Sequence, residues 1–168
     1  KKHLVFDEFL RKHIDLTDKT YYSEQDLIND IPKADAYCTG SDQVWNSHWN
    51  EGVDRPFYLS FLPDDAYRFS YASSIGSEKL KDDEKSEVSP MLEKYKHISV
   101  REDSGVTVLQ DMDISDVVQV LDPTLLFDAK TWIPYVSNRY KNQKWLHIIC
   151  IMIRESINTQ QIWLENTI

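Results

Sequence analysis

The first thirteen residues carry hydrophobic side chains at three- and four-residue intervals, the spacing of one helix face. These positions are Val5, Phe6, Phe9 and Leu10. The pattern predicts that the chain opens in an amphipathic helix. A short second helix through Ile28 is predicted by Ser23 and Asp26, whose spacing is typical of a capped helix start, and Pro32 ends it.

Short β-rich runs then follow, and each of them ends in small, polar or charged residues. The runs are Ala34–Thr39, Phe69–Ala72, His97–Val100 and Val117–Leu121. Helical spacing returns between the later runs, at Val88, Met91, Leu92 and Tyr95 and again at Val106, Leu109 and Met112. Pro90 predicts that the first of these helices starts near Ser89 or is kinked there. Strands that alternate with helices predict an α/β fold with a parallel sheet.

The ends of the predicted strands are the main functional signal in the chain. They are Gly40-Ser41-Asp42, Ser73-Ser74-Ile75-Gly76, Arg101-Glu102 and Asp122-Pro123-Thr124. In an open parallel sheet, ligands bind beyond the carboxyl ends of the strands, where helix N-termini also offer N–H groups to anions. Any one of these clusters is also common in turns, but their convergence on one edge predicts a ligand site.

Arg101 follows a buried-looking strand and precedes a helix. A guanidinium there would hold a phosphate or a carboxylate in bidentate fashion. The alternative is a structural ion pair with Glu102 or Asp103. Both interpretations are open at this point.

The loop after the first strand combines carboxylate, amide and aromatic side chains. Asp42, Gln43, Asn46 and the ring of Trp45 would suit a sugar-binding surface. In the alternative interpretation, Trp45 fills the core beneath the loop and Asn46 caps its backbone. His48 would be either a general acid or base near neutral pH or an ordinary surface histidine.

For two further groups of side chains, both a ligand-binding role and a structural role are open. The hydroxyls of Ser70, Tyr71, Ser73 and Ser74 would donate to phosphate oxygens, although strand alternation turns half of these side chains away from any one face. Asp122 would either orient a ligand hydroxyl or close the Asp-Pro-Thr turn.

Composition narrows the classes of partner. The 168 residues carry a formal net charge of −9, without the Lys/Arg cluster that nucleic-acid binders present. Cys38 and Cys150 lie in apolar runs, which predicts buried, reduced thiols and a cytoplasmic protein. The longest apolar run, Trp145–Ile153, is shorter than the ~20 residues of a membrane-spanning helix. We therefore predict neither nucleic-acid binding nor stable membrane insertion.

Common catalytic motifs are absent from the sequence. It contains no Walker A loop, no GxGxxG, no GxSxG and no zinc-ligand spacing. This argues against the common NTPase, dehydrogenase and hydrolase functions, and neither a cofactor nor a metal is predicted.

Five blocks of sequence occur in a characteristic order along the chain. They are Ala34-Asp35-Ala36-Tyr37 leading into Gly40-Ser41-Asp42-Gln43-Val44-Trp45-Asn46, then Phe57-Tyr58-Leu59-Ser60-Phe61, Ser70-Tyr71-Ala72-Ser73-Ser74-Ile75-Gly76, Ile98-Ser99-Val100-Arg101-Glu102, and Leu121-Asp122-Pro123-Thr124-Leu125-Leu126 with Trp132. Together they resemble the polysaccharide pyruvyl transferase family over residues 5–135, and more loosely over the predicted strand at 145–153.

The resemblance implies a GT-B-like fold of two Rossmann-like lobes, of which this chain would hold a partial N-terminal lobe. It implies a transferase that moves the enolpyruvyl group of phosphoenolpyruvate onto sugar hydroxyls of a polysaccharide precursor. Arg101 and Asp42 are then the catalytic candidates, as anion clamp and base. Candidate substrate contacts are Ser41, Gln43, Trp45, Asn46, Ser73, Ser74, Gly76, Glu102, Asp122 and Thr124. The alternatives are a glycosyltransferase lobe that uses a nucleotide sugar and a non-catalytic carbohydrate-binding fragment.

The same resemblance predicts the domain organisation. Residues 1–128 are expected to form an incomplete Rossmann-like lobe, 129–143 a linker and 144–168 the truncated start of a second lobe. Both ends are expected to be cut, and the similarity to the family is expected to end before residues 154–168. The chain alone is therefore expected to be inactive, and its open sheet edge is expected to pair with a second copy or another chain.

Overall fold

A computed structural model describes residues 2–135, which divide into two units between Val120 and Leu121. The first unit contains the strands and most of the helices. The second contains the segment that follows the last strand. The predicted second lobe, at residues 144–168, lies outside the described residues, as does most of the predicted linker.

Short parallel strands form the centre of the first unit. They are β1 (Tyr37–Thr39), β2 (Arg68–Ser70), β3 (Ile98–Val100) and β4 (Val117–Gln119). β1 pairs with β2 and β3 pairs with β4. Isolated parallel bridges, Phe69 to His97 and Ser73 to Val100, join the two pairs, so the strands lie side by side in chain order. The predicted α/β fold with parallel strands is confirmed, in strands shorter than the predicted runs. The two-lobed GT-B arrangement stays a prediction.

The described helices are α1 (Lys2–His13), α2 (Glu24–Asn29), α3 (Asp82–Leu92), α4 (Asp103–Gln110) and α5 (Ala129–Trp132). Short 3-10 turns lie at Arg55–Tyr58, Pro123–Leu125 and Ile133–Tyr135. The predicted start of α2 is confirmed, because the Ser23 hydroxyl accepts the backbone N–H of Asp26 at 3.1 Å. Every helix predicted within the described residues is present.

The predicted start of α3 near Ser89 is wrong. The helix begins at Asp82, seven residues earlier than the proline pattern suggested, and Pro90 lies in its last turn. Three acidic residues lie in the first turn, where their negative charge stabilises the helix by interacting with the positive end of its dipole. The carboxylate of Glu84 also accepts the backbone N–H of Lys81 at 3.2 Å, which caps the helix. Local capping therefore sets the helix start, and proline matters only near its end.

The core of the first unit lies between one face of the sheet, the helices α3 and α4, and the long segment between β1 and β2. Its central residues are Trp45, Tyr58, Leu62, Val88, Leu92, Val100, Val108 and Leu109. The Trp45 ring stacks on Tyr58 at a centroid distance of 5.5 Å and meets the edge of Tyr95 at 5.9 Å. This packing ties the loop after β1 to the two helices.

The opposite face of the sheet is open in the part of the chain that the structure describes. Cys38, Tyr67 and Val118 are exposed there, and the Tyr67 ring lies near Phe69 and His97. The prediction that Cys38 is buried is therefore wrong, because alternation turns its side chain away from the core. None of the helices within residues 2–135 is long and apolar enough to cross a membrane.

Candidate functional site

Backbone hydrogen bonds join the carboxyl ends of the first three strands beyond their regular pairing. Parallel bridges link Asp42 to Ser73 and Ser73 to Val100. The N–H of Ser74 donates to the carbonyl of Asp42 at 2.9 Å, and the N–H of Arg101 donates to the carbonyl of Ser73 at 3.1 Å. Three segments far apart in sequence therefore end side by side, as the strand-end argument predicts.

Arg101 lies between two carboxylates at this edge. Its Nε is 2.8 Å from Oε1 of Glu102, and its Nη1 is 3.4 Å from Oδ1 of Asp42. The Arg101 side chain is 24% exposed, whereas that of Asp42 is 83% exposed. The amide of Gln119 also donates to the Arg101 carbonyl at 3.2 Å. The predicted ion pair with Glu102 is therefore present, and the side chain still reaches the surface at the strand ends, where its role as an anion clamp stays a prediction.

Glu102 has one carboxylate oxygen that is buried without a hydrogen-bond partner among the described residues. This oxygen, Oε2, lies beside the one that accepts from Arg101. Glu102 is the residue before α4, but its side chain does not cap the helix. A buried acceptor without a donor is costly, and in this arrangement Oε2, like the hydroxyl of Ser74, is closed to a ligand in solvent.

Gly40 and Gly76 allow the strand-end segments to approach each other. Gly40 has φ +110°, and a side chain there would collide with the Tyr71 carbonyl and with Ser73. Gly76 has φ +63°, and a side chain there would collide with the amide group of Asn46. Both positions need the conformational freedom of glycine and its small size.

Asp42 and Ala72 also adopt the left-handed conformation, with φ values of 73° and 51°. For a residue with a Cβ this conformation costs ~1–2 kcal/mol. Such strained positions cluster at functional sites. Ala72 is fully buried, so of these two residues Asp42 is the one that presents its side chain to a ligand.

The loop after β1 is held together by its own amides. The Asn46 amide donates to Gln43 Oε1 at 2.6 Å, and its Oδ1 accepts the backbone N–H groups of His48 and Trp49 at 3.0 and 3.2 Å. Asn46 is buried, so it caps the loop, as one of the two interpretations held. Gln43 is exposed, and Ser41 is half-buried.

Trp45 is a core residue. It is 1% exposed, and its indole Nε1 donates to the Phe57 carbonyl at 3.1 Å. Its influence on a ligand would be indirect, through the loop that it supports. The core interpretation of Trp45 therefore accounts for its position.

Ser73 and Ser74 are fully buried. The Ser73 hydroxyl donates to the Thr39 carbonyl at 3.2 Å, whereas the Ser74 hydroxyl has no partner among the described residues. In this arrangement neither hydroxyl reaches a ligand in solvent. The two serines instead connect the ends of β1 and β2.

A network between β2 and β3 was not predicted from the sequence. The Ser99 hydroxyl donates to the Ser70 carbonyl at 2.9 Å and accepts the N–H of Ala72 at 3.2 Å, while the Ser70 hydroxyl donates to the Ser99 carbonyl at 3.0 Å. Both serines are buried. The Ser-Val-Arg order at the end of β3 was the available signal, because it places a polar side chain inside an otherwise apolar strand.

Asp122 and Thr124 lie in the second unit. The Asp122 carboxylate accepts the N–H of Thr124 at 2.9 Å and its hydroxyl at 2.6 Å, which caps the 3-10 turn that follows. The indole of Trp132 donates to the Thr124 carbonyl at 3.0 Å. Turn closure is thus one established role of Asp122. Within residues 2–135, no group of His, Cys, Asp and Glu is arranged to hold a metal ion.

Comparison with known families supplies the decisive observation. The profile of the polysaccharide pyruvyl transferase family matches residues 2–161. The chain belongs to this family. The match includes the whole set of strand-end blocks and continues to residue 161, so the expectation that the similarity ends at residue 153 is wrong for residues 154–161.

Neither a curated protein nor a solved structure matches the chain. The family membership therefore rests on the sequence profile. The strand-end cluster of Asp42, Arg101 and Glu102 lies within the matched region of this pyruvyl transferase family member.

Proposed function

We propose that the chain carries the donor-binding edge of a transferase that moves the enolpyruvyl group of phosphoenolpyruvate onto sugar hydroxyls. The observation that carries the proposal is the position of Arg101 at the joined strand ends, 3.4 Å from the exposed carboxylate of Asp42. A guanidinium in this place suits a ligand with a carboxylate and a phosphate group.

The contact between Arg101 and Asp42 is one that an anionic ligand can replace. It is long, and the Asp42 carboxylate is mostly in solvent, so the pair contributes little energy. The contact to Glu102 is shorter, at 2.8 Å through Nε, and it would hold the guanidinium in place while the contact to Asp42 is exchanged for one to a ligand. Glu102 is then a positioning residue and Asp42 an exchangeable partner.

The reaction requires a proton donor, stabilisation of anionic charge and an oriented acceptor. Protonation of the methylene carbon of phosphoenolpyruvate leaves a cationic centre at the carbon that carries the phosphate. One sugar hydroxyl adds to this carbon and loses its proton. A second hydroxyl then replaces the phosphate, which gives the pyruvate ketal and inorganic phosphate. Asp42, once released from Arg101, is our candidate to accept a proton from the sugar.

The remaining substrate contacts in this proposal belong to residues near the same edge. Ser41 and Gln43 are accessible in the loop after β1, while Trp45, Asn46, Ser73, Ser74 and Gly76 shape that edge from beneath. Asp122 and Thr124, in the second unit, stay candidates through the family resemblance alone. Since this donor is a metabolite of the cell interior, the proposal places the reaction in the cytoplasm.

Within the cluster of Asp42, Arg101 and Glu102, one cation would face a donor with two anionic groups. Transfer is therefore proposed to need further cationic groups, and the chain by itself is proposed to bind the donor without turnover. We also infer self-association, because within the described residues β1 pairs only with β2 and β4 pairs only with β3. Strands with an unpaired side are ready to bond to another chain.

Donor binding by the full chain tests the proposal. Phosphoenolpyruvate should raise the melting temperature saturably, as a ligand of the native state does, whereas UDP-glucose should not. Arg101→Ala should abolish the shift and Arg101→Lys should weaken it. Arg55→Ala is a matched control, because Arg55 also lies 3.3 Å from two carboxylates, those of Glu24 and Glu87. A shift that survives Arg101→Ala, or a shift with UDP-glucose instead, would contradict the proposal.

A further inference from the structure

A polar cleft of about 490 Å³ lies beside the strand-end edge of the first unit. One wall comes from the loop after β1, with Ser47 and His48, and the other from the segment that leads into α3, with Ser77. Apart from two glycines, every residue that lines the cleft has a polar or charged side chain. Such a lining suits a ligand that offers many hydrogen-bonding groups.

The charges around the cleft are balanced. Lys79 and Lys81 provide two cations, and Glu51 and Glu84 provide two anions. With two cations and two anions in the lining, a phosphorylated ligand or a nucleotide would meet attraction from the lysines and repulsion from the glutamates. An uncharged polyol gains hydrogen bonds from both kinds of group, since ammonium groups donate and carboxylates accept. The cleft therefore favours a neutral ligand rich in hydroxyl groups.

Two links connect the cleft to the strand-end edge. Gly76 lines the cleft and also contacts the side chain of Asn46. The Asn46 Oδ1 holds the backbone N–H of His48, at the opposite wall. The next residue, Trp49, is 78% exposed, which is unusual for a large aromatic side chain. Trp49 directly follows the cleft residue His48 in the chain, and an exposed indole offers a flat apolar surface to the C–H face of a sugar ring.

We propose that this cleft is the subsite for the acceptor saccharide and that it binds an uncharged sugar ring through its hydroxyl groups. The inference rests on the proposed function, in which a sugar hydroxyl attacks the donor. His48, Glu51 and Lys79 supply the contacts to the hydroxyl groups, and Trp49 supplies the stacking surface. Specificity between sugars then depends on these four side chains.

Saccharide binding without donor tests the inference separately from the proposed function. The probes are methyl glycosides of glucose, galactose, mannose and their N-acetylamino forms. Glucose 6-phosphate is the charged counterpart. Binding of each to the full chain is measured by saturation-transfer NMR and calorimetry. At least one neutral glycoside should bind saturably and more tightly than the phosphorylated sugar. Glu51→Gln, Lys79→Ala and Trp49→Ala should each weaken it by about tenfold, the usual effect of one lost contact to a charged group or a stacked ring.

The controls decide between the cleft and other surfaces. Lys12→Ala removes an exposed lysine from α1 and should leave saccharide affinity unchanged. The cleft variants alter exposed side chains, so they should keep the wild-type melting temperature, and they should keep the response to phosphoenolpyruvate. Failure of every neutral glycoside to bind, preference for glucose 6-phosphate, or binding that is insensitive to the cleft variants would overturn the inference. If the wild-type chain binds a neutral glycoside but does not respond to phosphoenolpyruvate, the proposed function is contradicted and the inference about the cleft is not.

Discussion

The guanidinium of Arg101 and the carboxylate of Asp42 meet across 3.4 Å although the two residues are 59 positions apart in the chain. Arg101 follows β3 and Asp42 follows β1, and Ser73, at the end of β2, bonds to both segments. The parallel arrangement of the strands therefore creates the ion pair. A ligand that binds at this edge would therefore lie near both a positive and a negative side chain.

Two replacements of Asp42 distinguish how far its positive φ and its negative charge affect the free energy of unfolding. Because Asp42 has φ 73° and is mostly in solvent, Asp42→Asn should change the free energy of unfolding by less than about 0.5 kcal/mol, since asparagine tolerates this conformation. Asp42→Val should cost about 1–2 kcal/mol, because a β-branched residue does not. Urea denaturation of both variants measures the difference. Equal losses would show that the charge and not the backbone is what matters for stability.

Gly76→Ala should destabilise the protein by about 1–3 kcal/mol, because the new Cβ combines an unfavourable positive φ with a collision against Asn46. Gly52→Ala is a control for backbone strain without a collision. Gly52 has a φ of 137°, which residues with a Cβ tolerate less well than 63°, but a Cβ there meets nothing within 4 Å. Thermal and urea unfolding of both variants provide the measurement. A Gly76→Ala variant as stable as the wild-type chain would contradict the close approach of the two loops.

Ser99→Ala should cost about 1–3 kcal/mol, since it leaves the buried N–H of Ala72 and the carbonyl of Ser70 without the bonds that the Ser99 hydroxyl makes. Ser86→Ala is the control, because the Ser86 hydroxyl bonds to the Asp82 carbonyl on the exposed face of α3. That change should be neutral or slightly stabilising, as alanine favours helices. Unfolding free energies of both variants provide the measurement, and similar values for the two would argue against a buried network.

Two core tyrosines should make stability fall at high pH. Burial raises the pKa of Tyr58 and of Tyr95 well above the usual value of 10.0. The unfolded chain therefore loses these protons near pH 10 while the folded chain keeps them, so stability is full below pH 10 and decreases as the pH rises above it. Ultraviolet titration should show these two tyrosines ionising only together with unfolding. Reversible ionisation in the folded state near pH 10 would contradict their burial.

Self-association through the open sides of β1 and β4 should appear in light scattering at micromolar concentration. A Lys or Pro at Cys38, in β1, should reduce it, because charge and proline both oppose strand pairing at an edge. Cys38→Ser is the matched control, which should leave the association unchanged. A monomeric wild-type chain at this concentration would contradict the inference.

Prediction from the sequence succeeded where local spacing carries the information. The helical intervals in α1 and α4 and the cap of α2 at Ser23 identified those elements. It failed for the start of α3, because Pro90 suggested a start near Ser89, whereas the helix begins at Asp82 and Glu84 caps it through the N–H of Lys81. It also failed at Cys38, because a run of three residues does not reveal which sheet face the core covers.

The sequence by itself determined the alternation of strands and helices, the five ordered blocks and the family to which the chain belongs. Only the tertiary structure decided which residues of those blocks face solvent. Asp42 and Arg101 meet at the surface, whereas Trp45, Ser73 and Ser74 are buried. The physical reason is that spacing and capping act within a few residues, but burial depends on which distant segments pack against each other.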